Sequence, residues 1–104
     1  MSFNGNEGKE VTLDEASAWT SNYRKTISVG DTLAHFVGKD QLMKILDQAE
    51  CVGVRYYYGI DEEGAKILIA VGVTSDENDM TEGIIIDRMI ACPPRCSTRN
   101  SLNS

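Results

Sequence analysis

Three cysteines and one histidine are the residues of this sequence best suited to binding a metal. Cys92 and Cys96 flank Pro93-Pro94-Arg95, while Cys51 and His35 lie far upstream. Three thiolates and one imidazole would complete a tetrahedral zinc site. However, three residues separate the two nearby cysteines, whereas a zinc knuckle usually has two, so the spacing argues against zinc. Two alternatives remain: a local Cys92–Cys96 disulfide, or free thiols near a turn with Cys51 as a small core residue.

His35 is the only histidine and therefore the main candidate for a general base. Histidine often transfers protons in enzymes, but a nucleophile would have to lie beside it, and no motif indicates one. His35 lies between Ala34 and Phe36 in what we predict to be a short helical turn, which favours a packed or partly exposed side chain. The sequence therefore favours a protein without enzymatic activity or cofactor. The alternative is a metal-binding or thiol- and histidine-dependent enzyme that uses Cys92, Cys96, Cys51 and His35.

A second group of candidates falls on a predicted β-hairpin. The sequence places Arg55, Tyr57, Lys66 and Leu68 on one face of this hairpin. Arginine and aromatic side chains on a sheet face are typical of protein interfaces, and an arginine near glycines can also bind a carboxylate or phosphate. The simplest alternative is a half-exposed face on which the Arg and Lys stems cover apolar surface. We favour a binding surface formed by these four residues.

The acidic segment Asp76-Glu77-Asn78-Asp79 does not form a recognisable calcium loop. An EF-hand loop starting at Asp76 would need an oxygen ligand at its fifth position and glycine at its sixth. The sequence has Met80 and Thr81 there. We therefore predict a solvated loop. Phosphate-binding glycine loops, nucleophile elbows and zinc-protease motifs do not occur in the sequence either.

The hairpin itself is predicted from two runs of β-forming residues, 52–60 and 65–73, joined by Asp61-Glu62-Glu63-Gly64. If those four residues form the turn, Ile60 pairs with Ala65. Tyr56 then lies opposite Ile69, and Val54 lies opposite Val71. This register gathers the branched apolar side chains on one face, which we expect to lie under the helices.

Helices are predicted on the N-terminal side of the hairpin. Thr12 and Glu15 form a capping-box pattern, so the first helix should begin near Leu13 and continue to Gly30. Its apolar stripe predicts that Trp19 is buried against the sheet. We also expect a short helical turn over residues 33–37, a helix capped by Asp40, a third strand within 83–89, and the end of regular structure at residues 92–96, where two prolines occur.

The composition indicates a single small domain. The chain has 104 residues, of which 41% are hydrophobic and 25% charged, as in soluble globular domains. A net charge of −6 argues against a nucleic acid or an anionic membrane as partner. The polar first residues predict no secretory signal, and three cysteines fit a reducing cytoplasm. We predict a flexible arm over residues 1–11, a domain over 12–104 and a polar tail from about residue 97.

Several stretches resemble a group of small, uncharacterised bacterial proteins. The resemblance covers residues 12–104 but implies no activity, ligand or site. Val37 and residues 77–79 depart from the pattern, which tends to have an aromatic residue and a glycine-containing turn there. The matching stretches are Leu13-Asp14-Glu15-Ala16, Trp19, Tyr23-Arg24, His35-Phe36-Val37-Gly38-Lys39-Asp40, Gly53-Val54-Arg55-Tyr56-Tyr57, Val71-Gly72-Val73, Cys92-Pro93-Pro94-Arg95-Cys96 and Asn100-Ser101-Leu102-Asn103-Ser104.

Together these patterns predict an α+β fold in which N-terminal helices pack on one face of a small antiparallel β-meander of three or more strands. For function, we favour a small, non-enzymatic binding or protein-interaction domain. It would form a homodimer or bind another protein. The polar tail is expected to dock on the hairpin face that carries Arg55 and Tyr57, or on that partner.

Overall fold

The computed structural model describes residues 2–104 and has an α+β fold with antiparallel sheets, as predicted. β2, β3 and β4 form a three-stranded sheet in that order, and β1 pairs with β5 in a second, two-stranded sheet. In chain order, the elements are α1 (Leu13–Arg24), β1 (Ala34–Phe36), α2 (Lys39–Leu46), β2 (Cys51–Ile60), β3 (Lys66–Thr74), β4 (Ile85–Ile86) and β5 (Ile90–Cys92).

The chain divides into two compact units. The first contains residues up to Glu7 together with His35–Ile90, and so holds α2 and the three-stranded sheet. The second contains Gly8–Ala34 and Ala91–Ser104, and so holds α1 and the C-terminal segment. Charge is unevenly divided, because twelve acidic and five basic residues give the first unit a net charge of −7.

In the second unit, α1 begins as predicted. The Glu15 backbone N–H donates to the Thr12 hydroxyl at 3.1 Å, and the Thr12 N–H donates to the Glu15 carboxylate at 3.3 Å. The helix ends at Arg24, earlier than the predicted end at Gly30. The prediction that Trp19 is buried is wrong, since 57% of this residue is exposed. No residue of α1 is buried.

The C-terminal segment docks on α1, which corrects the expectation that it docks on the hairpin face of Arg55 and Tyr57 or on a partner. Arg24 donates from its two terminal nitrogens to the Leu102 carbonyl at 2.6 Å and the Ser104 carbonyl at 2.9 Å. The Ser17 hydroxyl donates to that of Ser101 at 2.8 Å. These contacts explain why a segment of polar composition adopts a defined path.

Residues 34–36 form strand β1, so the predicted helical turn over 33–37 is wrong. Phe36 remains 62% exposed, and pairing with β5 rather than apolar burial accounts for the extended backbone. β5 ends at Cys92, where the prediction placed the end of regular structure. Distant strand pairing is invisible to a local pattern, which explains the error.

The β2–β3 hairpin forms, but the predicted register is wrong by one residue. Ile60 pairs with Lys66, so Arg55 lies opposite Val71. The Asp61 carboxylate accepts hydrogen bonds from the N–H groups of Glu63 and Ala65, both at 2.9 Å. The Asp61 N–H also donates to the Ala65 carbonyl, so these two residues continue the antiparallel pairing beyond Ile60 and Lys66 and leave a three-residue loop, 62–64. The predicted loop was 61–64, and this difference moves every pair by one position.

In the first unit, α2 packs against all three strands of the larger sheet. Its Ile45 is fully buried, as is Ala70 in the centre of β3. The helix begins after Gly38, which provides no side-chain cap, rather than after the predicted cap Asp40. The Gln48 side chain, just beyond α2, accepts a hydrogen bond from the Ile84 N–H at 2.8 Å and so ties the helix to the segment that enters β4.

Candidate functional site

Arg55 and Tyr57 share one face of β2 and converge on a residue that we did not predict, Asp79. One terminal nitrogen of Arg55 lies 2.5 Å from one carboxylate oxygen of Asp79, and the Tyr57 hydroxyl donates to the other oxygen. The same Arg55 nitrogen lies 3.4 Å from the Glu77 carbonyl. Since the exposed fractions of the Arg55 and Asp79 side chains are 34% and 21%, the ion pair is mostly shielded from water.

The loop after β3 returns along that strand and brings Asp79 to this position. Asp79 forms a β-bridge with Val73, and the Met80 N–H donates to the Gly72 carbonyl at 2.8 Å. Residues opposite each other in adjacent strands have side chains on the same face. Asp79 therefore lies on the face of Val73, which is also that of Arg55 and Tyr57.

Val71 and Val73 lie on this face between the strand that carries Arg55 and the loop that carries Asp79. They are only 4% and 3% exposed. The stem of an arginine and the ring of a tyrosine can cover apolar surface while their polar ends bind a partner. Because Arg55 lies directly opposite Val71, its stem is placed to cover that valine.

Phe3 adds an aromatic ring to the network. The Arg55 guanidinium carbon lies 5.8 Å from the centre of the Phe3 ring, within the range of a cation–π contact. The Phe3 N–H donates to the Ser75 carbonyl at 2.9 Å, which fixes this part of the N-terminal segment at the end of β3. Arg55 is consequently held by a carboxylate and a ring at once.

The network moves the pKa values of its members away from neutrality. The hydrogen bond from Tyr57 lowers the pKa of Asp79, and the charge of Arg55 contributes to this shift. The hydrogen bond to Asp79 raises the pKa of Tyr57, and partial burial raises it further. General acids and bases work best with pKa values near the working pH. Asp79 and Tyr57 are therefore poorly suited to acid–base catalysis near neutral pH, and their arrangement is that of a structural clamp.

Lys66 and Leu68 do not join this cluster, which corrects the predicted four-residue surface. They lie opposite Ile60 and Tyr58, respectively, and so point to the other face of the sheet. The cause is the one-residue register shift set by Asp61. The predicted surface is thus divided between the two faces.

β2 carries the largest group of exposed large side chains in the sheet, distributed over both of its faces. β2 is an edge strand, since it pairs only with β3 among the strands of residues 2–104. Tyr58 is 92% exposed and Ile60 is 72% exposed, while Tyr56 and Tyr57 are each 46% exposed. Aromatic residues at such positions are typical of binding surfaces.

Cys92 and Cys96 form a disulfide, one of the alternatives left open by the sequence, with their Cα atoms 4.8 Å apart. Both cysteines belong to the second unit, whereas Cys51 and His35 belong to the first. Cys51 is a free thiol whose sulfur lies 3.2 Å from the Gly53 carbonyl. The His35 Nε2 atom lies 3.1 Å from the Lys66 carbonyl. Across residues 2–104, no three His, Cys, Asp or Glu side chains are grouped so that they could hold a metal ion.

Comparison with known proteins assigns no family to the chain. No protein-family model, curated protein or solved structure matches it. The resemblance to a group of small bacterial proteins therefore stays a prediction. Within residues 2–104, no helix has both the length and the apolar character needed to cross a membrane.

Proposed function

We propose that this protein is a small, non-enzymatic interaction domain that self-associates through the edge strand β2. One observation carries the proposal: a ten-residue edge strand exposes four large side chains, Tyr56, Tyr57, Tyr58 and Ile60. An edge strand offers unpaired backbone N–H and C=O groups to another strand. Peptide segments and whole subunits are often recognised in this way.

The composition of β2 supports this role. Proteins usually protect an exposed edge with proline, lysine or an inward-pointing charge. Between Cys51 and Ile60, the only charged residue is Arg55, and the segment has no proline. Because Arg55 is already paired with Asp79, its charge does little to repel an incoming strand.

The preferred partner is protein rather than nucleic acid or membrane. The chain carries a net charge of −6, and the unit that contains β2 is the more acidic one. Phosphate backbones and anionic lipids bind clusters of lysine and arginine. An acidic unit with a tyrosine-rich edge, whose one charged residue is paired with Asp79, is better matched to another protein surface.

We propose a cytoplasmic location, because an odd count of three cysteines does not suggest a framework of disulfides. The Cys92–Cys96 disulfide argues the other way, because disulfides persist mainly in oxidising compartments. Rapid alkylation in intact cells followed by mass spectrometry counts the free thiols. Three labelled cysteines support the cytoplasm, whereas labelling of Cys51 alone places the protein in an oxidising compartment.

Sedimentation velocity over a range of protein concentrations tests self-association. We expect the parent to form dimers as concentration rises, and Tyr58→Lys to remain monomeric over the same range, because a lysine protects a sheet edge. Val29→Lys is the matched control, because Val29 is fully exposed but lies in a loop outside β2. A parent that stays monomeric at every concentration contradicts the proposal, as does a Tyr58→Lys variant that associates like the parent.

A further inference from the structure

We propose that two copies of the chain pair their β2 strands antiparallel in one register, centred on Tyr57. This inference rests on the proposed function and adds the pairing of individual residues. A symmetric dimer uses the same surface of both copies, so the strand must be complementary to itself. The sequence and exposure of β2 can therefore be used to compare possible registers.

The two-fold symmetry of a dimer restricts the possible registers between the two β2 strands. In a pair related by a two-fold axis normal to the sheet, the two β2 strands lie side by side with equivalent faces on the same side. Because successive side chains alternate between faces, one residue must then lie opposite its own copy. The candidates near the middle of the exposed strand are Tyr56 and Tyr57.

The regular part of β2 limits how far a partner strand can extend. The β2–β3 pairing is interrupted between Cys51 and Gly53, where Val52 has no partner in β3. A Cβ atom on Gly5 would lie 3.3 Å from the Val52 carbonyl, so the N-terminal segment approaches the strand there. At the opposite end, the turn begins at Asp61. The segment open to a partner is therefore about residues 53–60.

The backbone of this segment is free to pair. In the part of the chain that the structure describes, no backbone hydrogen bond joins residues 54–60 to anything other than β3. Alternate residues of an antiparallel strand direct their N–H and C=O groups to opposite sides. Half of the polar backbone groups in this segment are consequently available to a second strand.

In the register centred on Tyr57, each exposed large side chain of β2 lies opposite an aromatic or aliphatic side chain of the other copy. Tyr57 itself lies opposite Tyr57 of the other copy. Aromatic–aromatic and aliphatic pairs of this kind stabilise antiparallel strands. Gly59 has no side chain to obstruct the arginine that faces it. The pairs between copies are Val54 with Ile60, Arg55 with Gly59, Tyr56 with Tyr58, and Tyr57 with Tyr57.

Centring on Tyr56 is less favourable. It places Ile60, which is 72% exposed, opposite Val52, where the strand is irregular and the N-terminal segment lies close. Ile60 would then lack a regularly paired neighbour. The Tyr57-centred register avoids this irregular region altogether.

Isotope-filtered NMR on the unaltered protein tests the register without any substitution. In a mixture of labelled and unlabelled parent, we expect nuclear Overhauser effects between the Val54 and Ile60 methyl groups of different copies. Val54 contacts Tyr58 of the other copy in the competing register. Intermolecular contacts between Val54 and Tyr58, with none between Val54 and Ile60, overturn the Tyr57-centred pairing.

Disulfide cross-linking provides a second test, in a Cys51→Ser background that removes the free thiol. Opposite residues of an antiparallel pair have Cα atoms about 4.5–5.5 Å apart, within disulfide range. An equimolar mixture of Tyr56→Cys and Tyr58→Cys should therefore cross-link as the heterodimer. Tyr56→Cys alone should form no cross-linked homodimer, because Tyr56 does not lie opposite Tyr56 of the other copy in this register.

The experiments distinguish a wrong register from a failure of the proposed self-association. If Tyr56→Cys alone cross-links and the mixture gives no additional heterodimer, the register is wrong while self-association through β2 stands. If sedimentation shows only monomer for the parent, both the register and the proposed function fail.

Discussion

Tyr57 and Asp79 are joined by a hydrogen bond although they are twenty-two positions apart in the sequence. The tyrosine lies on an edge strand, and the aspartate is bridged to Val73 in the neighbouring strand. Their bond, together with the Arg55–Asp79 ion pair, holds the loop after β3 against the sheet.

Replacing Asp79 by asparagine should lower stability and flatten its dependence on pH. Because the folded protein lowers the pKa of Asp79, the stabilisation is complete above the ordinary carboxyl pKa of about 4. It disappears as pH falls through the lowered folded pKa. Urea unfolding from neutral to acidic pH should show a lower midpoint for Asp79→Asn at neutral pH and convergence with the parent in acid.

Asp76→Asn is the matched control, since Asp76 is exposed in the same loop. Its urea midpoint should follow that of the parent across the whole pH range. If Asp79→Asn also follows the parent, the ion pair does not contribute to stability.

Tyr57 should ionise at higher pH than a free tyrosine, because its hydroxyl donates to an ionised carboxylate. Its raised folded pKa means that the hydrogen bond stabilises the fold below the ordinary tyrosine pKa of about 10. This stabilisation is lost as pH rises through the folded value. Tyrosinate absorbance during alkaline titration measures the shift.

The alkaline titration of the parent should contain a late step from Tyr57 that Tyr57→Phe lacks. Asp79→Asn should return the pKa of Tyr57 towards its ordinary value. If this late step persists in Tyr57→Phe, the shifted group is another tyrosine.

Gly72→Ala should destabilise the protein by about 1–3 kcal/mol, the usual cost of overpacking a filled site. A Cβ atom at Gly72 would lie 2.9 Å from the Gln48 amide nitrogen and 3.1 Å from the sulfurs of Cys51 and Met80. Gly53→Ala is the control, because its Cβ would meet nothing within 4 Å. Urea titration should therefore give nearly the parent free energy of unfolding for Gly53→Ala.

Ile45→Ala should cost about 2–5 kcal/mol, as expected for a buried aliphatic side chain. Ile45 is fully buried, whereas Trp19 is 57% exposed. Truncating a buried aromatic residue to alanine typically lowers the free energy of unfolding by about 3–5 kcal/mol. Trp19→Ala should therefore lower it by clearly less. The free energy of unfolding of both variants checks this order, and a larger loss for Trp19→Ala would contradict the exposure of α1.

Local patterns predicted the elements better than their pairing. The capping box of Thr12 and Glu15 identified the start of α1, because the contacts that form it lie within one helical turn. The hairpin was predicted from its two β-rich runs. Its register was predicted wrongly, because Asp61, which was expected in the loop, pairs with Ala65 and leaves a loop of three residues. A strand of three residues such as β1 owes its existence to a distant partner, which a local pattern does not contain.

The sequence identified two residues of the candidate site, Arg55 and Tyr57, but not Asp79. Arg55 and Tyr57 were recognised from alternation along β2, which does not depend on the register. Asp79 was missed because its position depends on a loop that folds back along β3. One signal was present: an arginine on a mostly apolar face requires a counter-charge, and the acidic loop after β3 is the nearest source in the sequence.

The turn closed by Asp61 also has a consequence for the order of folding. Its hydrogen bonds join residues at most four positions apart, whereas the Ser17–Ser101 bond joins residues separated by eighty-four. Short loops close faster and at lower entropic cost than long ones, and hairpins form within about 1–10 μs. The β2–β3 hairpin is therefore expected to form first and to act as the nucleus. The second unit, whose two segments are far apart in the sequence, is expected to form later.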